Sequence, residues 1–205
     1  MHRIPLCVAA GLLAFGTTAR AATFSFVSDP FAGSGALTTP GRQVVGGEPF
    51  ISFSIGSDLF VLETEAFGVG DQVLFANGLV DDLPSADVNV IVLQTTDDDG
   101  DPGTPFGAGN AANLIANQLT SPGPGFFVYF NSGLDLPRLV YSTDLSDNTA
   151  DLKVLARMTN LGGQSAALAT FTAANFTIVP EPAPPLLLAV SGALWAWRFR
   201  RGEGP

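Results

Sequence analysis

A proline-rich segment near the C-terminus limits the domain that this chain can fold. Prolines stand at positions 180, 182, 184 and 185. Each fixes φ and lacks a backbone donor, so the segment predicts an extended spacer that cannot join a core strand. An uncharged apolar run over residues 186–197 follows, and as a helix extended by Phe199 it covers roughly 20 Å, less than the ~30 Å of bilayer hydrocarbon. It predicts a single transmembrane helix of marginal length, stopped on the cytoplasmic side by a basic cluster. That cluster comprises Arg198, Arg200 and Arg201.

The order of these three features resembles a known sorting signal. Pro180, Glu181 and Pro182, followed by the apolar run and the terminal arginines, are similar to the PEP-CTERM tail of exported bacterial proteins. The resemblance implies that exosortase, an intramembrane transpeptidase-like protease, recognises residues 180–205 and cleaves near the Pro-Glu-Pro motif. It also implies that residues 186–197 enter the membrane only transiently. The alternative is an ordinary single-span anchor that is never cleaved.

The N-terminus predicts export. A short basic start is followed by an apolar stretch over residues 4–16, which is too short to span a bilayer. Ala19 and Ala21 form a small-x-small cleavage signal, so residues 1–21 are predicted to be a signal peptide. The implied partners are the Sec machinery and signal peptidase, and the mature chain is expected to begin at Ala22.

Without these ends, the composition excludes several kinds of chemistry. His2 and Cys7 are the only histidine and cysteine, and both lie in the signal peptide. The mature domain therefore has no disulfide, thiol nucleophile or histidine ligand. Residues 22–179 carry seventeen carboxylates against four basic side chains, a net charge of −13. Such a surface repels phosphate backbones, so nucleic acid is not an expected partner.

The central 158 residues, 22–179, predict one all-β domain. Apolar and polar residues alternate cleanly over 50–55, and valine- and phenylalanine-rich runs recur between glycine, proline and aspartate turns. We expect an antiparallel β-sandwich or jelly roll of eight to ten strands arranged as a meander, with one short helix over residues 109–119. The long loop over residues 28–49 indicates either function or disorder. The predicted strands are 23–27, 50–55, 58–66, 71–76, 87–95, 126–130, 138–143, 152–158 and 166–178.

An aspartate-rich turn is the only candidate metal site in the sequence. Asp97, Asp99 and Asp101 alternate as oxygen ligands for Ca²⁺ often do. However, Pro102 occupies the position where a helix-loop-helix calcium loop has glycine, and Ala108 occupies the position of its bidentate glutamate. Two interpretations remain open: a solvated acidic turn, or a weak calcium site of the extracellular type. No other cofactor is expected.

Taken together, these patterns predict a non-enzymatic exported protein with a structural or adhesive role at the cell surface or in the exopolysaccharide matrix of a Gram-negative bacterium. The inner membrane would hold it only as an intermediate. The alternative from another class is a secreted carbohydrate-active enzyme, since glycosidases need only two carboxylates. Its candidates are Glu63 and Glu65, which would share one face of an alternating strand, whereas Glu48 stands alone in a loop.

Overall fold

The computed structural model of the chain describes residues 20–180, which form ten strands and two α-helices. Residues 1–19 of the predicted signal peptide, including Ala19, lie outside the described residues, as do residues 181–182 of the predicted sorting motif, the predicted membrane segment and the arginine cluster. Within residues 20–180, no helix has the length and apolar character needed to cross a bilayer. The helices are α1 (Thr64–Phe67) and α2 (Ala108–Gln118). The strands are β1 (Thr23–Phe26), β2 (Val44–Val45), β3 (Phe50–Ile51), β4 (Leu59–Glu63), β5 (Phe75–Gly78), β6 (Val90–Leu93), β7 (Gly125–Asn131), β8 (Leu136–Ser142), β9 (Leu152–Met158) and β10 (Phe176–Val179).

The strands build two sheets, which confirms a β-rich fold but not the predicted strand directions. The larger sheet has the order β2-β9-β8-β7-β6-β5, with β3 also paired to β9. Only the pairs β7–β8 and β8–β9 are antiparallel, and the other pairs are parallel. The antiparallel meander predicted from the sequence is therefore wrong. Helix α2 connects β6 to β7 as a crossover, which is the kind of connection that parallel neighbours need.

The smaller sheet is parallel throughout and brings the two ends of the domain onto one strand. Its order is β1-β4-β10, so the first and last strands flank β4 and run in the same direction. Thr23 pairs with Leu59 at the start of β4, and Val179 pairs with Glu63 at its end. The chain consequently enters and leaves this sheet at opposite ends of β4.

Two apolar clusters lie on the two faces of the larger sheet. One cluster joins this sheet to the smaller one and contains Phe60 and Ile178 together with Phe126 and Val128. The other lies beneath α2 and contains Ile115 together with alternate residues of the same strands. Every residue of β7 is buried, which matches the prediction that the aromatic run over residues 126–130 is a core strand.

A β-bulge in β9 changes which face its side chains occupy. Leu139 pairs with Ala156 whereas Val140 pairs with Val154, so Leu155 has no partner opposite it. An extra residue reverses the alternation of a strand. As a result Arg157 lies directly opposite Arg138 on the neighbouring strand β8.

Side-chain hydrogen bonds replace two of the predicted strand segments. The strand predicted over residues 50–55 stops after Ile51, because Asn160 accepts the N–H of Phe53 and donates to its carbonyl in the way a neighbouring strand would. The strand predicted over 166–178 is mostly wrong. Residues 165–170 and 173–175 form 3₁₀ turns, and Asn175 donates its amide to the backbone of the segment before β4.

The long loop over residues 28–49 is ordered by contacts with the loop before β9 and with α2. The two carboxylate oxygens of Asp151 accept the backbone N–H groups of Leu37 and Gln43, each at 2.6 Å. Arg42 donates to the carbonyls of Ala150 and Gly109. These contacts contradict disorder and give the loop a structural role, and its residues 44–45 form β2, whereas its function stays a prediction.

Candidate functional site

The predicted signal cleavage point and the predicted sorting motif both lie next to strands of the smaller sheet. Ala21 is exposed and Ala22 is half-buried just before β1, so the predicted cleavage point directly precedes the first strand. At the other end, the carbonyl of Val179 accepts a 2.8 Å hydrogen bond from the Thr64 hydroxyl, and Pro180 after it is exposed. The predicted sorting motif therefore begins at the first residue after β10.

Hydrogen bonds from backbone N–H groups to the aspartate carboxylates shape the aspartate-rich turn. Asp97 accepts the backbone N–H groups of Asp99 and Gly100, both at 3.1 Å. Asp99 in turn accepts the N–H of Asp101, and Asp101 accepts that of Gly103. The hydrogen bond from Asp99 is the largest cause that lowers the pKa of Asp97, so this carboxylate remains charged at neutral pH. The turn is thus shaped by aspartates acting as backbone acceptors.

The carboxylates that converge are not the three that the sequence predicted. Ligand oxygens of Asp97, Asp98 and Asp99 lie within 4.8 Å of one another, and all three residues are exposed. Asp98 takes the place that alternation had assigned to Asp101, and it also accepts a 2.7 Å hydrogen bond from the Asn110 amide at the start of α2. These three residues are the ones that could hold a cation, although such exposed clusters also occur as solvated turns.

A calcium titration with one variant separates the two interpretations of this turn. For a site with Kd of about 1 mM, 10 mM Ca²⁺ stabilises the fold by about 1.4 kcal/mol, which raises Tm by roughly 3–5 °C. Asp97→Asn keeps the acceptor oxygen for Asp99 and Gly100 but removes the charge, so it should abolish this rise. Asp81→Asn, a substitution of the same kind outside the turn, should keep it. A wild-type Tm that does not change with Ca²⁺ would leave the solvated turn as the correct interpretation.

A second polar cluster, which the sequence did not predict, lies where β3, β8 and β9 meet. Oε1 of Glu48 contacts Arg138 Nη2 and Arg157 Nε, both at 2.5 Å. The side chain of Glu48 is 1% exposed, and those of Arg138 and Arg157 are 11% and 27% exposed. The interpretation of Glu48 as an isolated loop residue is therefore wrong. Its partners stand 90 and 109 positions away in the chain, and no local pattern signals such a pairing.

The groups around this cluster extend it in two directions. On the buried side, the Tyr129 hydroxyl accepts hydrogen bonds from Asn131 at 3.0 Å and from Arg138 at 3.4 Å. On the open side, the Arg157 guanidinium lies 5.0 Å from the ring centre of Phe50, which is 67% exposed. The cluster consequently connects the core to an exposed aromatic side chain at the sheet edge.

The ionisation of this cluster is fixed near neutral pH. Burial works to raise the pKa of Glu48, but hydrogen bonds from Arg157 and Arg138 outweigh it and the pKa is lowered. Burial raises the pKa of Tyr129. Glu48 is therefore charged and Tyr129 neutral at pH 7, and arginine does not deprotonate in this range. These side chains can keep their charges and stabilise the fold, but none of them exchanges a proton near pH 7.

The carboxylate pair proposed for a carbohydrate-active enzyme loses its geometric basis. Strand β4 ends at Glu63, and Glu65 lies in the first turn of α1. Residues two apart share a face in a strand but not in a helix. The prediction that the two glutamates lie on one strand face is wrong.

The chain was compared with protein-family models, curated proteins and solved structures, and none of them matches it.

Proposed function

We propose that this chain is a non-enzymatic exported protein that is sorted to the cell surface or extracellular matrix through its C-terminal tail. One observation carries the proposal: Pro180-Glu181-Pro182, an apolar run and an arginine cluster follow one another in that order within residues 180–201. Each part has a physical task. The prolines keep the motif extended, the apolar run enters the bilayer, and the arginines prevent the end of the chain from crossing it.

The position of the motif in the fold supports this role. Because Thr64 holds the carbonyl of Val179 at the end of the smaller sheet, the tail starts at a fixed point of the domain, and its first residue, Pro180, is exposed. In the proposed sequence of events, signal peptidase cuts before Ala22, the tail holds the domain at the inner membrane, and exosortase then cleaves near residues 180–182 and releases it outward.

The charge of the domain supports a structural or adhesive role outside the cell. A net charge of −13 over residues 22–179 keeps the released domain soluble and attracts divalent cations. Through such cations the acidic surface could be bridged to an acidic exopolysaccharide, with the aspartate-rich turn as one contact point. Exopolysaccharide is accordingly the partner that we propose for the mature domain.

A pair of matched tail variants tests the sorting step. We expect Glu181→Ala to lower the share of tail-cleaved protein at the cell surface at least about tenfold, a loss of about 1.4 kcal/mol or more in recognition. Glu203→Ala removes the same side chain beyond the arginines and should leave processing unchanged. The measurement is intact mass of the protein in membrane and surface fractions of a host with exosortase. Equal cleavage of both variants would show that Glu181 is not recognised, whereas a wild-type protein that keeps its tail in every fraction would make the tail a plain anchor.

A further inference from the structure

A buried carboxylate receives the backbone N–H of the residue that the predicted signal cleavage would expose. Asp58, which is 5% exposed, lies just before β4. Its Oδ1 accepts the N–H of Ala22 at 2.9 Å and the Ser57 hydroxyl at 3.1 Å. Its Oδ2 accepts the N–H of Ser54 at 2.8 Å. The nitrogen of Ala22 therefore points at a carboxylate that is almost completely removed from solvent.

The position of Ala22 is fixed from its other side as well. Its carbonyl accepts the N–H of Leu59 at 3.0 Å, in line with the pairing of Thr23 with Leu59 at the start of β1 and β4. The nitrogen of Ala22 is thus held by the sheet itself rather than by a loose terminus. Ala22 is half-buried, so further protons on this nitrogen could reach water.

We propose that the α-ammonium group of mature Ala22 forms an ion pair with Asp58, so that removal of the signal peptide adds a charged contact to the fold. This inference rests on the proposed export and on cleavage between Ala21 and Ala22. Before cleavage the nitrogen is a neutral amide, and after cleavage the same atom carries a positive charge at the same place. A hydrogen bond between charged groups is roughly twice as strong as one between neutral groups.

The groups around Asp58 do not include another cationic partner for its carboxylate within the described residues. Among residues 20–180, Glu48 forms ion pairs with Arg138 and Arg157, and no lysine or arginine lies within ion-pair distance of Asp58. Its hydrogen-bond donors are the backbone N–H groups of Ala22 and Ser54 and the hydroxyl of Ser57, and the neutral residues Thr170, Thr172 and Asn175 line the same cleft. Burial works to raise the pKa of Asp58, but the hydrogen bonds from Ala22, Ser54 and Ser57 outweigh it and lower the pKa. The carboxylate is therefore charged when the ammonium appears.

The ion pair has a predictable pH dependence. A free α-amino group titrates at about 7.7–8.0, and a neighbouring carboxylate raises that value in the folded state. A group whose pKa is raised on folding contributes stability that is complete below its unfolded pKa and is lost as the pH rises through its folded pKa. We expect the contribution of the new terminus to be complete at pH 6.5 and lost toward pH 10.

A one-residue insertion provides the matched comparison. The full chain is produced with its own signal peptide, either unchanged or with a serine inserted between Ala21 and Ala22, and the exported protein is recovered. After cleavage at the same peptide bond, the inserted form keeps a free ammonium but carries it one residue, about 3.5 Å, away from Asp58. Asp58 and its hydrogen-bond donors stay intact. Intact mass gives the first residue of each product, and thermal unfolding gives Tm at pH 6.5 and pH 10.

We expect the unchanged product to begin at Ala22 and to have a Tm roughly 3–6 °C above that of the inserted form at pH 6.5. This gap should close by pH 10, where the ammonium has lost its proton. A product that begins at Ala22 with no gap at pH 6.5, or with a gap that is equal at both pH values, would overturn the ion pair while leaving export intact. A product that is not cleaved before Ala22 would overturn the ion pair together with the predicted export signal.

Discussion

Replacing Glu48 with glutamine is expected to destabilise the folded protein by about 3–5 kcal/mol, because two partly buried arginines would lose their shared counter-charge. Arg138 and Arg157 are directly opposite each other on β8 and β9, and in the native fold both contact the same oxygen of Glu48. Glutamine keeps the shape of the side chain but leaves two like charges next to one another. The free energy of unfolding from urea titration, monitored by fluorescence, gives the size of the loss.

Two controls make this result specific to the charge cluster. Glu63→Gln changes a half-buried glutamate at the end of β4 and should alter the free energy of unfolding by less than about 0.5 kcal/mol. Replacing Glu48, Arg138 and Arg157 together by methionine removes all three charges and should recover most of the lost stability. If Glu48→Gln costs no more than Glu63→Gln, the cluster does not stabilise the fold as argued.

Acid should reproduce part of the same loss in the wild-type protein. The pKa of Glu48 is lowered in the folded state, so its contribution is present above its unfolded pKa of about 4.3 and disappears as the pH falls through the folded value. Between pH 5 and pH 2 the wild type should therefore lose more stability than the triple methionine variant.

Truncating Phe53 to alanine is the second change expected to have a large effect, with a cost of about 3–5 kcal/mol. The Phe53 ring is fully buried and stacks on Phe60 at 4.2 Å between ring centres, with 8° between the planes. It also stacks on Phe171 at 5.7 Å. Its removal would leave a cavity among the segment before β4, β4 itself and the segment before β10.

Phe50→Ala is the matched control, three positions earlier in the chain. Phe50 is 67% exposed, and its ring contacts the Arg157 guanidinium at 5.0 Å, so the loss should stay at or below about 1 kcal/mol. Urea unfolding of both variants measures the difference. Similar losses for the two phenylalanines would contradict the position of Phe53 in the core between the sheets.

The elements that the sequence predicted well are those whose burial pattern is local. Residues 152–158 form β9 with the predicted bounds, and the predicted helix over 109–119 is α2 at Ala108–Gln118. The apolar run over 87–95 contains β6, and the run over 126–130 lies within β7; both strands are buried on both faces. Continuous apolar runs of this kind are typical of parallel strands. These two runs therefore already indicated that the sheet is not a purely antiparallel meander.

The errors arise where distant side chains decide the local structure. Alternation over residues 50–55 predicts a strand, but Asn160 supplies the backbone partner for Phe53 and ends it early. Glu48 is buried because it pairs with arginines on β8 and β9. A β-bulge at Leu155 brings Arg157, the arginine on β9, to the same side as Arg138. In the aspartate-rich turn the cause is local: alternation selects Asp101, whereas the chain path brings Asp98 to Asp97 and Asp99, and cation binding there stays a prediction.

The measurement that tests the sorting proposal most directly is the intact mass of the wild-type protein in the surface and membrane fractions of its host. The proposal predicts a surface species that begins at Ala22 and ends near residues 180–182, with or without added mass at that new end. A protein that keeps residues 198–205 and stays in the membrane fraction would contradict it, and the tail would then be a permanent anchor.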